Sequence, residues 1–285
     1  MVSVMIVGNG AREHVISCAY EKSDVSRIVV TPGNDLIPFK RDKEVITDKN
    51  CSLDDPASIL ERARHHKPDL IEISQDDTLA AGAVDKLQSH GFTTFGPTRK
   101  AARIEWDKRW SREFMAGNNV PHPHFRYFTS REPAKSYVRK LYETGDPLIY
   151  VKAAGLCSGK GALKSTSLEE ALGNIEEMQS FGAAGRVFLI EQGLRGEEFS
   201  SYAICDGQSY LMLPSAQDNK TLNNFDEGDQ TGGMGAISPA MVAEPLTATI
   251  EEQMVKPIVK GLNEEGIPYT GIMFIGGILT DKLMN

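Results

Sequence analysis

The sequence predicts an α/β protein in which a helix-covered parallel sheet is followed by an α+β unit. Strand and helix signals alternate through about the first hundred residues. A Phe95-Gly96-Pro97-Thr98 break then ends the alternation, and the strands beyond it follow one another with few helices between.

Val2–Val7 is an apolar run closed by Gly8-Asn9-Gly10, and Ala11–Glu21 continues as a helix with Val15, Ile16 and Ala19 on one face. Arg27–Thr31 is a β-branched strand that ends in the turn cluster Pro32-Gly33-Asn34-Asp35. Pro56 suits the first turn of a helix over Pro56–His66. Leu70–Ile73 reads as a strand, Thr78–His90 as a helix and Phe92–Phe95 as a strand. Ligands of such sheets sit at the carboxyl ends of the strands, here Gly8–Gly10, Gly33–Asp35 and Ser74–Thr78. A helix is expected from the Phe95-Gly96-Pro97-Thr98 break through Trp110, with the domain boundary near residue 100. Further on, Leu148–Ala153, Arg186–Glu191, Phe199–Cys205 and Tyr210–Leu213 read as strands with antiparallel pairing, and Leu168–Gln179 as a helix. Gly228–Gly235, with four glycines in eight positions, reads as a loop. A long helix over Ala248–Glu265 and an apolar strand over Gly271–Leu279 complete the chain.

The 285 residues carry 31 Lys and Arg against 39 Asp and Glu, a net charge of −8, which argues against a nucleic-acid partner. Apolar residues at 40% and charged residues at 25% describe a globular chain with a real core. No stretch approaches the roughly 18 consecutive apolar residues of a membrane helix. Met1–Gly8 lacks the basic leader and cleavage site of a signal peptide. Cys18, Cys51, Cys157 and Cys205 show no CxxC or zinc spacing, and reduced thiols in a cytoplasm are expected.

Gly8-Asn9-Gly10-Ala11-Arg12-Glu13-His14 links a strand to a helix, where glycines admit a phosphate to the backbone and the helix N-terminus favours an anion. Glu13 stands where a dinucleotide fingerprint has its third glycine, so the segment is a simple phosphate site or an ordinary turn rather than a nicotinamide site. Arg12 can add a bidentate phosphate contact or be merely solvated. Lys152 through Gly161 brings two lysines, Lys152 and Lys160, to a glycine-containing loop that is not a P-loop, because Gly161 follows Lys160 and no helix opens there. It offers amides and cations to a polyphosphate, or it is a solvent hairpin. Glu191 through Glu198 is an acidic turn between two strands, suited to an adenine amine or ribose hydroxyls or simply exposed. Asp218, Asp226 and Glu227 are interleaved with the glycines that run to Gly235, a pattern that suits a substrate amine, a metal between phosphates, or a tight loop alone. His65, His66, His122 and His124 lack a third partner at metal-ligand spacing.

Taken in order, these segments resemble the phosphoribosylamine–glycine ligase family, also called glycinamide ribonucleotide synthetase, of the ATP-grasp superfamily. Gly8 through His14, Pro32-Gly33-Asn34, Leu79-Ala80-Ala81-Gly82, Lys152 through Gly161, Gly196-Glu197-Glu198 and Thr231-Gly232-Gly233-Met234-Gly235 carry the likeness, with Ser238-Pro239 and Gly266 through Gly271. The resemblance implies a pre-ATP-grasp domain over 1–100 that binds phosphoribosylamine. It implies an ATP-grasp domain over 101–285, incomplete at its C-terminal end, with a flexible lid about 120–190. The implied reaction joins glycine to 5-phosphoribosylamine through glycyl phosphate, using ATP with Mg²⁺ or Mn²⁺, with no nucleic-acid or membrane partner.

By that resemblance Lys108 and Lys152 contact phosphates, and Ser158-Gly159-Lys160-Gly161 forms the loop over them. Glu191 and Leu194 face adenine, and Glu198 takes the ribose. Gly8, Asn9, Gly10, Arg12, Glu13, Asn34, Asp76 and Thr231 are implied at the substrate, and Lys152, Asp218, Gly233, Met234 and Gly235 at the reacting groups. The chain departs from the family at Ser74-Gln75-Asp76, where Gly-Pro-Glu is usual, and at Ala154, Asn219 and Asp229-Gln230. The family's metal ligands, in a Glu-Phe-Asn run, fall beyond Asn285. The expectation is therefore a shortened chain, or one completed by a second chain, that binds nucleotide but turns over slowly by itself.

Overall fold

The computed structural model describes residues 2–37, 43–145, 147–157, 159–224, 228 and 230–280, except for the side chains of 230 and 232. Two compact units emerge. One comprises the chain up to Arg103 with Cys205–Ser209 and Leu262–Ile272; the other comprises Ile104–Ile204, Tyr210–Gly261 and the chain from Met273.

In the first unit β1 (Val2–Gly8) leads into α1 (Ala11–Glu21), β2 (Val25–Pro32) and β3 (Val45–Thr47). Then come α2 (Pro56–His66), β4 (Leu70–Ile73), α3 (Asp76–Ala81), α4 (Ala83–Gln88) and β5 (Thr94–Phe95). The strands lie in the order β3-β2-β1-β4-β5 and every pairing is parallel. Val4, Met5, Ile6 and Val7 are all at most 1% exposed, the unbroken apolar pattern of a strand covered on both faces. Asp55 caps α2 by accepting from the Ala57 amide at 2.9 Å. The helix expected over Thr78–His90 is two helices, because Gly82 adopts φ +87 and breaks the run. The loops after β1 and β4 flank the point where strand order reverses, the usual ligand position in such sheets.

The second unit continues with α5 (Arg103–Trp106), α6 (Lys108–Gly117), β6 (Phe125–Phe128), α7 (Arg131–Glu143), β7 (Ile149–Ala153), β8 (Ala162–Ser165), α8 (Leu168–Glu177) and β9 (Phe188–Gln192). The helix expected through Trp110 instead restarts at Lys108, because Asp107 caps α6 by accepting from the Trp110 amide at 3.1 Å. The antiparallel sheet β6-β9-β7-β8 sets Tyr150 opposite Glu191 and Lys152 opposite Leu189. Ile149, Val151, Ala153, Phe188 and Ile190 pack with Ala134 and Val138 of α7 and Ala171 and Ile175 of α8. Strand alternation then sends Lys152 and Glu191 to the face away from those helices.

β10 (Glu197–Asp206), β11 (Tyr210–Thr221), β12 (Gln230–Ile237), α9 (Thr247–Ile250), α10 (Lys256–Glu264) and β13 (Thr270–Leu279) follow. Their strands form a sheet in the order β12-β11-β10-β13. The glycine-rich stretch expected as a loop is largely strand. Gln217 pairs with Ile237, Asp218 with Ala236 and Asn219 with Gly235, with a bulge before Thr221. An edge strand needs backbone pairing from one side only, so glycines that bury nothing still take part in it. The expected long C-terminal helix is divided by a π-helical stretch, Glu251–Val255. Pro257 sits just beyond it and cannot supply an amide to the preceding turn.

Candidate functional site

Two clusters stand out, one in each unit. In the first, Gly8 takes φ +146, and a Cβ there would lie 2.4 Å from Cδ of Glu13. Glu13 is fully buried and its Oε2 accepts from the Gly10 amide at 2.7 Å and from Gln75 Nε2 at 3.2 Å. Those bonds tie the β1 loop to the β4 loop. Arg12 donates to the carbonyl of Ser74 and lies 3.8 Å from Asp76. Asn34 Nδ2 donates to the Asn9 carbonyl at 2.9 Å. Gly8, Asn9, Gly10, Arg12, Glu13, Asn34 and Asp76 thus assemble at one end of the sheet. Glu13 Oε1, Ser74 Oγ and Thr78 Oγ1 are buried there without a hydrogen-bond partner, capacity that a hydroxyl-bearing ligand would satisfy. Beneath them burial raises the Glu72 carboxyl above its usual range; the hydrogen bond from Tyr20 opposes the shift and the charge of Glu13 adds to it.

In the second unit the centre is Glu191, only 1% exposed. Arg112 Nε donates to its Oε1 at 2.7 Å and Arg112 Nη2 to its Oε2 at 3.4 Å. Lys152 Nζ donates to Oε2 at 2.5 Å. Burial pushes the Glu191 carboxyl up, but Arg112 and Lys152 outweigh it and hold the group below the usual carboxylate range. Lys108, one turn before Arg112, bonds the Gly155 carbonyl at 3.2 Å. Burial draws its amine below the usual lysine range, and the charge of Lys152 works in the same direction. Three cations around one carboxylate leave two positive charges in surplus on partly covered side chains, a donor set that fits a polyphosphate.

The 154–161 loop borders this cluster. Gly161 is required because a Cβ there would come 2.8 Å from Cys157 Sγ, and the Gly161 carbonyl accepts from the Ala153 amide at 2.8 Å. Gly159 takes φ +78 and Lys160 is exposed beside it. Ser158, Asp226, Glu227 and Asp229 lie outside the described residues. Leu194 is half-buried between β9 and β10. Glu198 is paired with Lys220 at 3.0 Å. Asp218 stands towards the C-terminal end of β11. Thr231, Gly233, Met234 and Gly235 lie on β12; Thr231 Oγ1 donates to the Lys220 carbonyl at 2.9 Å, and Met234 is 58% exposed. Thr231 belongs to the second unit. Arg112 was not singled out from the sequence. Its signal is the four-residue spacing from Lys108, which is legible only once the helix is carried past Trp110 to Gly117. Among the described residues no three of His, Cys, Asp and Glu are placed to hold a metal ion.

A parallel-sheet unit with a glycine loop, joined to an antiparallel unit with a buried lysine–glutamate cluster, is the architecture of an ATP-grasp protein. The profile for phosphoribosylglycinamide synthetase, N domain, matches residues 2–105, and that for its ATP-grasp (A) domain matches residues 106–284. The chain belongs to the phosphoribosylglycinamide synthetase family. It is 37% identical over 286 residues to the phosphoribosylamine–glycine ligase of Rhizobium meliloti, covering 99% of this chain and 65% of that protein. The Streptococcus pneumoniae serotype 4 ligase is also 37% identical, over 98% of this chain and 66% of its own length. The chain thus spans just under two thirds of these relatives. The crystal structure of phosphoribosylamine–glycine ligase from Thermotoga maritima aligns with a TM-score of 0.78 at 27% identity, over 98% of this chain and 66% of that one. D-alanyl-alanine synthetase A from Vibrio cholerae shares the fold, with a TM-score of 0.65 at 14% identity over 99% of this chain and 85% of that one.

Proposed function

We propose that the protein joins glycine to 5-phosphoribosylamine with ATP, through glycyl phosphate, to give glycinamide ribonucleotide, ADP and phosphate. Family membership supports this reading, and the observation that carries it is the surplus positive charge around buried Glu191. A carboxylate is a poor electrophile, so ATP supplies the phosphoryl group that activates glycine. Lys108 and Lys152 neutralise phosphate charge, and Gly159, Lys160 and Gly161 with Ser158 close over it. Glu191 and Leu194 face the base, and Glu198 accepts from ribose hydroxyls once Lys220 lets it go. The cluster around Gly10 and Glu13 holds the phosphoribosylamine, Thr231 contacts substrate, and Lys152, Asp218 and Gly233-Met234-Gly235 face the reacting groups. Mg²⁺ or Mn²⁺ belongs to the proposal as the partner of ATP. Among the described residues no three of His, Cys, Asp and Glu converge to hold it, so the nucleotide phosphates would supply most of its ligands.

None of the four cysteines forms a disulfide, in keeping with a cytoplasmic protein, and no described helix is long and apolar enough to cross a membrane. The experiment is phosphate release from ATP by the protein purified from its own source. Release that requires both glycine and phosphoribosylamine supports the reading. Nucleotide binding without release under any combination points instead to a non-catalytic nucleotide-binding relative.

A further inference from the structure

Two cations contact Glu191 where one suffices to balance it. They are not equivalent. Arg112 grips both carboxylate oxygens, at 2.7 and 3.4 Å, and its Nη1 is turned to Met115 Sδ at 3.2 Å. Its planar fork is fully engaged in that geometry. Lys152 touches a single oxygen through an ammonium with three donors, on a flexible stem whose head lies 5.3 Å from the Tyr150 ring centre. A bound phosphate therefore competes for Lys152 far more readily than for Arg112.

We propose that Arg112 is a positioning residue that holds Glu191 ionised and in place, so that Lys152 is free to leave the carboxylate for a nucleotide phosphate. This rests on the reading that nucleotide binds at this cluster. With Arg112 absent, Lys152 becomes the only hydrogen-bonding cation, among the described residues, on a carboxylate that is 1% exposed. Moving it to a ligand then strands a buried charge, which is strongly unfavourable. Lys152 stays locked, and nucleotide affinity falls although Arg112 touches no nucleotide.

The test combines Arg112→Met and Glu191→Gln, singly and together, with Arg112→Lys as the variant that keeps one cation. ADP affinity is read by calorimetry. Separately, and without nucleotide, the rate at which an amine-acylating reagent labels Lys152 is read by peptide mass spectrometry. Arg112→Met is expected to weaken ADP roughly 30-fold or more and to slow Lys152 labelling. Adding Glu191→Gln removes the charge that traps Lys152, so the double variant should bind ADP within about threefold of Glu191→Gln alone and regain fast labelling. Arg112→Lys should fall between wild type and Arg112→Met. A purely structural role predicts losses that multiply in the double variant, and that result overturns the proposal. So does unchanged Lys152 labelling in Arg112→Met. Failure of the wild-type protein to bind ADP sinks the nucleotide reading, while the labelling arm still decides the role of Arg112.

Discussion

Replacing Gly8 with alanine tests how the first unit builds its loop. The new Cβ would lie 2.4 Å from Glu13 Cδ, 2.6 Å from Cγ and 2.8 Å from Oε1, so the glutamate must move. Gly8 also sits at φ +146, a conformation that costs an L-residue roughly 1–3 kcal/mol. Displacing Glu13 breaks its 2.7 Å bond from the Gly10 amide, a charged hydrogen bond worth about 1.5–3 kcal/mol. The expected total of ~2.5–6 kcal/mol is a large part of a domain's stability. Urea denaturation followed by far-ultraviolet circular dichroism reads it. Both tryptophans, Trp106 and Trp110, belong to the second unit, so tryptophan fluorescence reports that unit as an internal control. In a Glu13→Ala background the clash disappears, and Gly8→Ala should cost only the backbone part. A cost below about 1 kcal/mol, or the same cost in both backgrounds, refutes the reasoning.

Two further substitutions probe the supports of each unit. Asp48, 9% exposed, accepts from His66 Nε2 at 2.7 Å and lies 3.4 Å from Arg62. Burial raises its carboxyl, but the His66 hydrogen bond, those of Asn50 and the charge of Arg62 together lower it to about 2. A depressed folded-state value means the stabilisation is present above about pH 4 and is lost as pH falls to about 2. Asp48→Asn should therefore cost about 1–2 kcal/mol at neutral pH, with the difference from wild type closing over that acid window in denaturation curves. Asp107→Ala removes the cap of α6 and should cost about 1 kcal/mol while weakening ADP several-fold, because Lys108 and Arg112 both hang from that first turn. Unchanged ADP affinity would separate the cap from the site.

Much of the fold is legible because burial leaves a plain pattern in the residues. β1, β2 and β4 read as strands from their apolar runs, and α2 from Asp55, Pro56 and the spacing of Ile59, Leu60 and Ala63. α7 is absent from the expected elements although Ala134, Tyr137, Val138, Leu141 and Tyr142 keep helical spacing on its inner face. β12 escapes because glycines signal flexibility whether or not the backbone pairs. At the site, the fold brings Lys108, Lys152 and Glu191 together. Lys152 and Glu191 share a face because Tyr150 pairs with Glu191, a register no local pattern reveals. Arg112 lies beyond Trp110, where the expected helix ends, whereas α6 continues to Gly117.

Nucleotide binding by the Lys108–Lys152–Glu191 cluster is the claim on which the functional reading stands, and calorimetric titration of ADP into the wild-type and Lys152→Ala proteins tests it most directly. Loss of one charge-assisted phosphate contact worth about 1.5–3 kcal/mol corresponds to a 10- to 150-fold fall in affinity. The fold should persist, because Arg112 still balances Glu191. Saturable binding by the wild type with at least a tenfold loss in Lys152→Ala is the expected result. Equal affinities in the two proteins would contradict it.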